Sequence, residues 1–183
     1  MKNILLTGSE TFGKYLANPS KWLALTVDGK EIAGYKIHSL ILPSVVLVPE
    51  GDEDPGIRIV KHALKINAKA IISFGMSSNV PGFRIESSAT NWIYNEKYCY
   101  ENENIQPLDN SRLSKERLNV DMSNWDFEKM KQLFKSELLS FDPKVSTDIG
   151  NYSCNNWMYR SLLAMQKMQV NIPFLFVHTY YRN

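Results

Sequence analysis

The sequence predicts an α/β fold in which helices cover both faces of a mainly parallel, twisted sheet, a three-layer αβα sandwich. Patterns typical of strands and of helices alternate through most of the chain, and such alternation favours parallel strands joined by right-handed crossovers. The length of 183 residues is usual for one domain, and no internal repeat or Pro/Ser-rich linker divides the chain. We therefore predict a single domain over residues 1–183.

The predicted elements follow in order, each with a signal at its boundary. A buried strand at residues 3–6 ends at Thr7-Gly8, and Asn18-Pro19-Ser20 supplies an N-cap and an N1 proline for the first helix. Asp54-Pro55 starts the second helix in the same way. The remaining elements are an extended stretch at 32–42, strands at 68–74, 144–147 and 174–178, and helices at 127–141 and 155–168.

One segment, residues 91–121, departs from this alternation. It is rich in Asn, Glu and Tyr and has little apolar periodicity, which predicts a long excursion over the active-site face. Ligands of parallel sheets bind at the carboxyl ends of the strands. We therefore expect the chemistry in the loops that follow Leu6, Phe74, Thr147 and Val177.

Composition and charge exclude several classes of function. The net charge is only +2 and the basic residues are scattered, so no nucleic-acid partner is expected. The apolar runs are strand-sized, far below the roughly 20 residues of a membrane span, and the N-terminal run is too short for a signal peptide. We expect a cytoplasmic protein whose two cysteines stay reduced. No residue cluster has the spacing of a zinc site, and the Gly8 to Gly13 loop lacks the ending of a phosphate-binding loop.

Cys154 is the candidate nucleophile. It follows Gly150-Asn151-Tyr152-Ser153 and opens a helical pattern, and a helix N-terminus stabilises a thiolate through its dipole and its free N–H groups. The same N–H groups suit an oxyanion hole. The alternative is that Cys154 is a small buried apolar residue, as most free cysteines are. Cys99 lacks this setting, and we assign it no chemical role.

His178 and Glu86 are the candidate partners of the thiol. His178 ends an apolar strand and so reaches the carboxyl edge of the sheet, whereas His38 and His62 lie inside a strand pattern and a helix pattern. Glu86 follows the strand at 68–74 and would orient the imidazole. Taken singly, the histidine also fits a structural role and the glutamate a solvated surface position.

Together these segments resemble the pyroglutamyl-peptidase I family of cysteine peptidases. The resemblance rests on order and spacing, including the eleven-residue step from Gly75 to Glu86 and the four-residue step from Gly150 to Cys154. The matching motifs are Thr7-Gly8-x-x-x-Phe12-Gly13, Asn18-Pro19-Ser20, Leu42-Pro43, Phe74-Gly75, Glu86-x-x-Ala89-x-Asn91, Gly150-x-x-x-Cys154-Asn155 and the strand that ends at His178.

The resemblance implies a phosphorylase/hydrolase-like fold and an omega peptidase, a thiol hydrolase that removes an N-terminal pyroglutamate from peptides. By this resemblance Cys154 is the nucleophile, His178 the general base and acid, and Glu86 the residue that orients the histidine. It also implies that Phe12, Asn18 and Gly75 bind the substrate, that no cofactor is needed, and that the protein forms homo-oligomers.

The departures from the family lie around the substrate pocket. Ser9 replaces a second Phe of the first loop, Thr11 replaces a Pro, and residues 76–80 and Ser153 also differ from the usual pattern. The family's Arg-Ile-Pro-Asp-Asn-like stretch is missing, and its usual helix after His178 has no counterpart in the five residues that follow. Two alternatives therefore stay open: a thiol hydrolase or amidase for another small acyl group, and a binding protein with the same fold that has lost turnover.

Overall fold

A seven-stranded sheet organises the molecule, whose computed structural model describes residues 1–13, 15–44, 53–77, 82–94, 105–136 and 144–180. The strands are β1 (Lys2–Ser9), β2 (Glu31–Ile32), β3 (Tyr35–Leu42), β4 (Ala68–Ser77), β5 (Phe83–Glu86), β6 (Ser88–Thr90), β7 (Ile93–Tyr94), β8 (Ile105–Gln106), β9 (Arg117–Asn119), β10 (Lys144–Ser146) and β11 (Phe174–Tyr180). The helices are α1 (Pro19–Thr26), α2 (Pro55–Lys65), α3 (Phe127–Ser136) and α4 (Ser153–Met168).

The strand order is β10-β5-β11-β4-β1-β3-β2. The four central strands β11, β4, β1 and β3 are parallel, while β5 is antiparallel to β11 and β2 is antiparallel to β3. The sheet is thus mainly parallel, as predicted. Because β5 runs in the opposite direction, its first residues lie at the same edge as the carboxyl ends of β4 and β11.

Helices cover both faces of the sheet, which confirms the three-layer prediction. Side chains of a strand alternate between the faces. One face of the sheet, with Leu5 and Phe176, packs against α2 and α4 around Trp157. The opposite face packs against α1 through Ala24, and against α3 next to β5 and β11.

The predicted helix starts are confirmed by their caps. The Asn18 side chain accepts a hydrogen bond from the backbone N–H of Ser20, and Asp54 accepts from those of Gly56 and Ile57. In both helices proline occupies the first turn, where its missing N–H costs nothing. No helix among the described residues is long and apolar enough to cross a membrane.

Strand boundaries differ from the prediction. Both β1 and β4 extend beyond their first glycines, because the parallel register continues with Gly8 opposite Ile41 and Gly75 opposite His178. The stretch at 32–42 is two strands, β2 and β3, joined by a turn. Strand β5 was not predicted at all. The helix predicted at 127–141 ends at Ser136, and residues 137–143 lie outside the described residues.

The described part of the 91–121 excursion packs against the flank of α4. Its strand β9 pairs in an antiparallel manner with β6, which directly precedes the excursion, and its strands β7 and β8 pair with each other. Its residues Ile93, Leu108 and Leu118 belong to the same core cluster as Trp157 of α4. Residues 95–104 of the excursion lie outside the described residues.

Candidate active site

A cleft of about 630 Å³ opens at the carboxyl edge of the sheet, between the first loop and the start of α4. It lies where the strand-end rule predicts chemistry. The residues that line it are Phe12, Tyr15, Ser44, Met76, Ser77, Arg84, Asp148, Ile149, Gly150, Asn151, Tyr152, Ser153, Cys154 and His178. Of residues 91–121, none that the structure describes lines this cleft, so the prediction that the excursion covers the active-site face is wrong for its described part.

Cys154 occupies the first turn of α4, as the sequence predicts, and is half-buried at the wall of the cleft. The helix begins after Tyr152, and among the described residues no side chain caps its first turn. Because Ser153 and Cys154 line the cleft, the N-terminus of α4 and the positive end of its dipole lie at the cleft wall, where they stabilise negative charge on a bound group.

Gly75 lets the thiol approach the sheet. A Cβ at position 75 would lie 2.9 Å from the Cys154 Sγ and 2.8 Å from the ring of Phe176, closer than van der Waals contact allows. Only a glycine at position 75 therefore allows the N-terminus of α4 to pack this closely against β4. This is a close-approach requirement, because the backbone of Gly75 is ordinary extended strand.

The next residue, Asn155, anchors the start of α4. Its fully buried side chain donates to the carbonyl oxygens of Thr90, at 2.8 Å, and Trp92, at 2.7 Å, and accepts from the Thr90 N–H at 2.9 Å. Three hydrogen bonds from one amide hold the helix start to the β6 segment. The position of the neighbouring thiol is thus set by backbone groups distant in sequence.

His178 and Glu86 lie together on the α4 face of the sheet. The His178 Nδ1 lies 2.7 Å from the Glu86 Oε1, and both side chains are buried. Because the carboxylate accepts, the imidazole donates its Nδ1–H to Glu86, which leaves Nε2 for the thiol. The three side chains proposed from the sequence are therefore brought together, in the arrangement of a nucleophile, a base and an orienting acid.

Electrostatics favour a protonated His178. Burial opposes the charged imidazolium, but the charge of Cys154, a hydrogen bond with its sulfur and the contact with Glu86 outweigh burial and raise the pKa of His178 from 6.5 to about 9. A thiolate–imidazolium pair is the ionisation state in which a cysteine attacks and a histidine can protonate a leaving group.

Arg84 is a further charged residue of the site that the sequence reasoning missed. It is the direct cross-strand partner of His178 and lies two residues before Glu86 on the same face of β5. Its Nε donates to the Glu86 Oε1 at 2.5 Å, and its Nη2 lies 3.2 Å from the His178 Nδ1. The alternation Phe83-Arg84-Ile85-Glu86 after Gly82 was the signal for this strand.

Two aromatic rings stand side by side at the mouth of the cleft. The Phe12 ring is 38% exposed and meets the Tyr15 ring edge to face, with 5.3 Å between centroids. Phe12 is therefore not a core residue buried under the loop. Tyr15 was not predicted. Ser9 is buried instead of facing the cleft, and its hydroxyl bonds to Ser44 and the Glu10 carbonyl.

Asn18, also expected at the substrate, does not line the cleft. Its buried side chain donates to the Glu10 carbonyl at 3.0 Å and accepts from the N–H and the hydroxyl of Ser20. It shapes the loop that carries Phe12. Cys99 lies outside the described residues. Among those described, no group of three or more His, Cys, Asp or Glu side chains could hold a metal ion.

Comparisons with known proteins identify relatives from one family of peptidases. A family model described as pyroglutamyl peptidase matches residues 2–182. Curated relatives include pyrrolidone-carboxylate peptidases from Bacillus cereus and Bacillus mycoides, each 28% identical over 97% of this chain and 78% of the relative.

Solved structures share the fold. A mutant pyrrolidone carboxyl peptidase from Pyrococcus furiosus has a TM-score of 0.75 at 21% identity, covering 98% of this chain and 81% of its own. The enzyme from Thermococcus litoralis has a TM-score of 0.76 at 20% identity, covering 99% and 77% respectively.

Proposed function

The chain belongs to the pyroglutamyl peptidase family, and we propose that it is a cysteine omega peptidase that hydrolyses the bond after an N-terminal pyroglutamate of peptides. The observation that carries the proposal is the convergence of Cys154, His178 and Glu86 at one cleft. The family assignment supplies the substrate class, and the geometry of these side chains supplies the mechanism.

The first half of the reaction forms a thioester. The Cys154 thiolate attacks the carbonyl carbon of the pyroglutamyl residue, and the carbonyl oxygen takes up negative charge near the N–H groups of the α4 first turn. The C–N bond then breaks. The protonated His178 gives its Nε2 proton to the departing amine, and the shortened peptide leaves.

The second half of the reaction hydrolyses the thioester and regenerates the free enzyme. Neutral His178 takes a proton from water, whose oxygen attacks the thioester carbon. The C–S bond breaks and pyroglutamate leaves, so that Cys154 is again a thiolate beside an imidazolium. Glu86 holds the Nδ1–H in both halves and thereby keeps Nε2 directed at the reacting groups.

Substrate selection rests on the aromatic rings of the cleft. The ring of Phe12 is exposed there and offers a flat apolar surface to the lactam, with Tyr15 beside it. Asn18 contributes by fixing the loop, and Gly75 by admitting the thiol. This arrangement takes peptides with N-terminal pyroglutamate as partners and requires no cofactor in the reaction as written.

The test is the release of a chromophore from a pyroglutamyl amide, compared with prolyl and alanyl amides, before and after alkylation of thiols. We expect cleavage of the pyroglutamyl amide alone and its loss on alkylation. Preferential cleavage of another acyl amide would instead support the thiol hydrolase of different specificity. Binding of pyroglutamyl peptides without cleavage would support the non-catalytic homologue.

We also propose a cytoplasmic location and a homo-oligomeric state. The cytosol keeps thiols reduced, which suits a thiol nucleophile, and the family resemblance suggests the association of subunits. Fractionation of cells and sedimentation of the purified protein test the two statements separately.

A further inference from the structure

The buried carboxylate of Glu86 needs a cation beside it throughout the proposed reaction. Its side chain is fully buried, and a buried carboxylate without a cation is strongly destabilised. His178 is a cation only while it is protonated, and it must give up that proton to the departing amine. A carboxylate whose partner was this histidine alone would then be left as an uncompensated charge, or would take up a proton itself.

Arg84 supplies a second and permanent cation at the same oxygen. The Arg84 Nε and the His178 Nδ1 both donate to the Glu86 Oε1, at 2.5 and 2.7 Å. A guanidinium stays charged at every pH at which proteins are active. The Arg84 Nη2 also lies 3.2 Å from the His178 Nδ1. Both nitrogens are donors, so this contact is not a hydrogen bond. The positive guanidinium there disfavours a second positive charge on the imidazole.

We infer that Arg84 is a positioning residue of the active site, which keeps Glu86 ionised and oriented while His178 passes from imidazolium to imidazole. The inference rests on the proposed function, because it assigns the proton transfer to His178. Without Arg84, the Glu86–His178 pair would hold its shared proton more tightly, because deprotonation would leave a buried negative charge with no cation beside it.

Among the described residues, no other ionisable group near His178 could replace Arg84 as the cation beside Glu86. Those that face it or share its cleft are Cys154 and Glu86, with Asp148, Tyr15 and Tyr152 on the cleft wall. None of these side chains can carry a positive charge. Among the described residues of the cleft, Arg84 is the one permanently charged cation.

The experiment compares the wild-type protein with Arg84→Met, Arg84→Lys and, as a matched control, Arg112→Met, which removes an arginine paired with Glu116 outside the cleft. The pH dependence of kcat on a pyroglutamyl amide is measured for each variant. For Arg84→Met we expect the alkaline limb to move up by roughly one pH unit, kcat to fall on the order of tenfold or more, and KM to stay within about threefold.

The lysine variant retains the charge but loses the fork geometry. We expect it to restore the wild-type position of the limb and part of kcat. Arg112→Met should leave both unchanged. A purely structural role for Arg84 would lower Tm and scale kcat without moving the limb, and that result would overturn the inference.

A readout independent of turnover separates this inference from the proposed function. The NMR titration of His178 in the wild-type and Arg84→Met proteins reports the same proton directly. An upward shift in the methionine variant supports the role of Arg84 even if no pyroglutamyl amide is cleaved, and an unchanged titration contradicts it even in an active enzyme. If the methionine variant does not fold, Arg84→Gln replaces it in both measurements.

Discussion

At the scale of single residues, the site depends on a few side chains whose neighbours determine their chemistry. The proposed nucleophile Cys154 lies at a helix start, and the groups around His178 raise its pKa. A histidine with other neighbours behaves differently. His62, for example, has a lowered pKa because of burial and of the nearby charges of Lys65, His38 and Arg58.

Replacing Cys154 by alanine should abolish hydrolysis and leave the fold intact. The thiol is the proposed nucleophile, but a half-buried side chain of this size contributes little to packing. We expect activity to fall by at least about a thousandfold while the variant keeps a single cooperative unfolding transition. Cys99→Ala is the matched control and should be silent. Alkylation that abolishes activity while labelling Cys99 and sparing Cys154 would show that the assignment is wrong.

Replacing Phe12 by alanine should weaken substrate binding. The ring is exposed in the cleft, and an aromatic contact contributes roughly 0.5–1.5 kcal/mol beyond area burial, so that KM should rise about tenfold with little change in kcat. Trp22→Ala, which removes a ring 64% exposed outside the cleft, serves as the control. An unchanged KM with a lowered Tm would mean that Phe12 supports the loop instead.

The pH dependence of the specificity constant should be bell-shaped. Attack requires a thiolate and the departing amine requires a protonated histidine, so the two limbs report opposite ionisations. Because the pKa of His178 is raised to about 9, the alkaline limb should lie near that pH. Steady-state kinetics across the range test this, and His62→Gln should leave the profile unchanged. A profile that stays flat through about pH 9 and beyond, with no alkaline limb, would argue against His178 as the acid and base.

At the scale of secondary-structure elements, the site is a junction of α4 with four strands. Asn155 holds the helix start to β6, Gly75 lets it rest on β4, and β5 and β11 supply the charged residues. Each contact positions the thiol through backbone atoms as much as through side chains. Small changes of packing at this junction should therefore affect catalysis more than stability.

Gly75→Ala should separate catalysis from folding. The added Cβ would displace the sulfur from its seat, and a misplacement of about 1 Å can reduce the rate on the order of a hundredfold. Gly56→Ala is the matched control, because its Cβ would lie 2.4 Å from the Arg160 backbone at the contact of α2 with α4. It should lower the free energy of unfolding by roughly 1–3 kcal/mol without lowering kcat of the folded protein. Full activity of Gly75→Ala would refute the close-approach argument.

At the scale of the whole molecule, the charges of the site also affect folding. His178 binds its proton more tightly in the folded protein than in the unfolded chain, where its pKa is near 6.5. Its contribution to stability is therefore complete below about pH 6.5 and is lost as the pH rises through about 9. Protonation of His178 therefore stabilises the folded protein at neutral and acidic pH.

The free energy of unfolding should accordingly decrease between about pH 6.5 and about 9. The upper limit of the change is on the order of 3 kcal/mol, since one pKa unit corresponds to about 1.4 kcal/mol. Denaturant titrations at several pH values measure it. The slope should be much smaller in Cys154→Ala, because the charge of Cys154 is the first of the effects that raise the pKa. Equal slopes in both proteins would contradict the statement that the charge of Cys154 raises the pKa of His178.

Local patterns along the sequence were sufficient for the architecture and for two members of the site. The caps at Asn18-Pro19 and Asp54-Pro55, the apolar strands and the alternation of elements depend on neighbouring residues, so they can be identified without the fold. The position of Cys154 at a helix start and of His178 near a strand end follows from the same kind of pattern. The residues of the triad stay a proposal for experiment to test.

The tertiary structure decided what depends on pairing between distant segments. Strand β5 lies between β10 and β11, parallel to β10 and antiparallel to β11, and the register with β11 places Arg84 opposite His178 and buries Glu86 beside it. A strand of four residues has too few positions for its alternation to reveal its partner or direction. The contact of Tyr15 with Phe12 and the buried position of Ser9 likewise depend on how the first loop folds over the sheet. The sequence by itself therefore determined the fold class and the candidate nucleophile and base, while the charges that surround them came from long-range register.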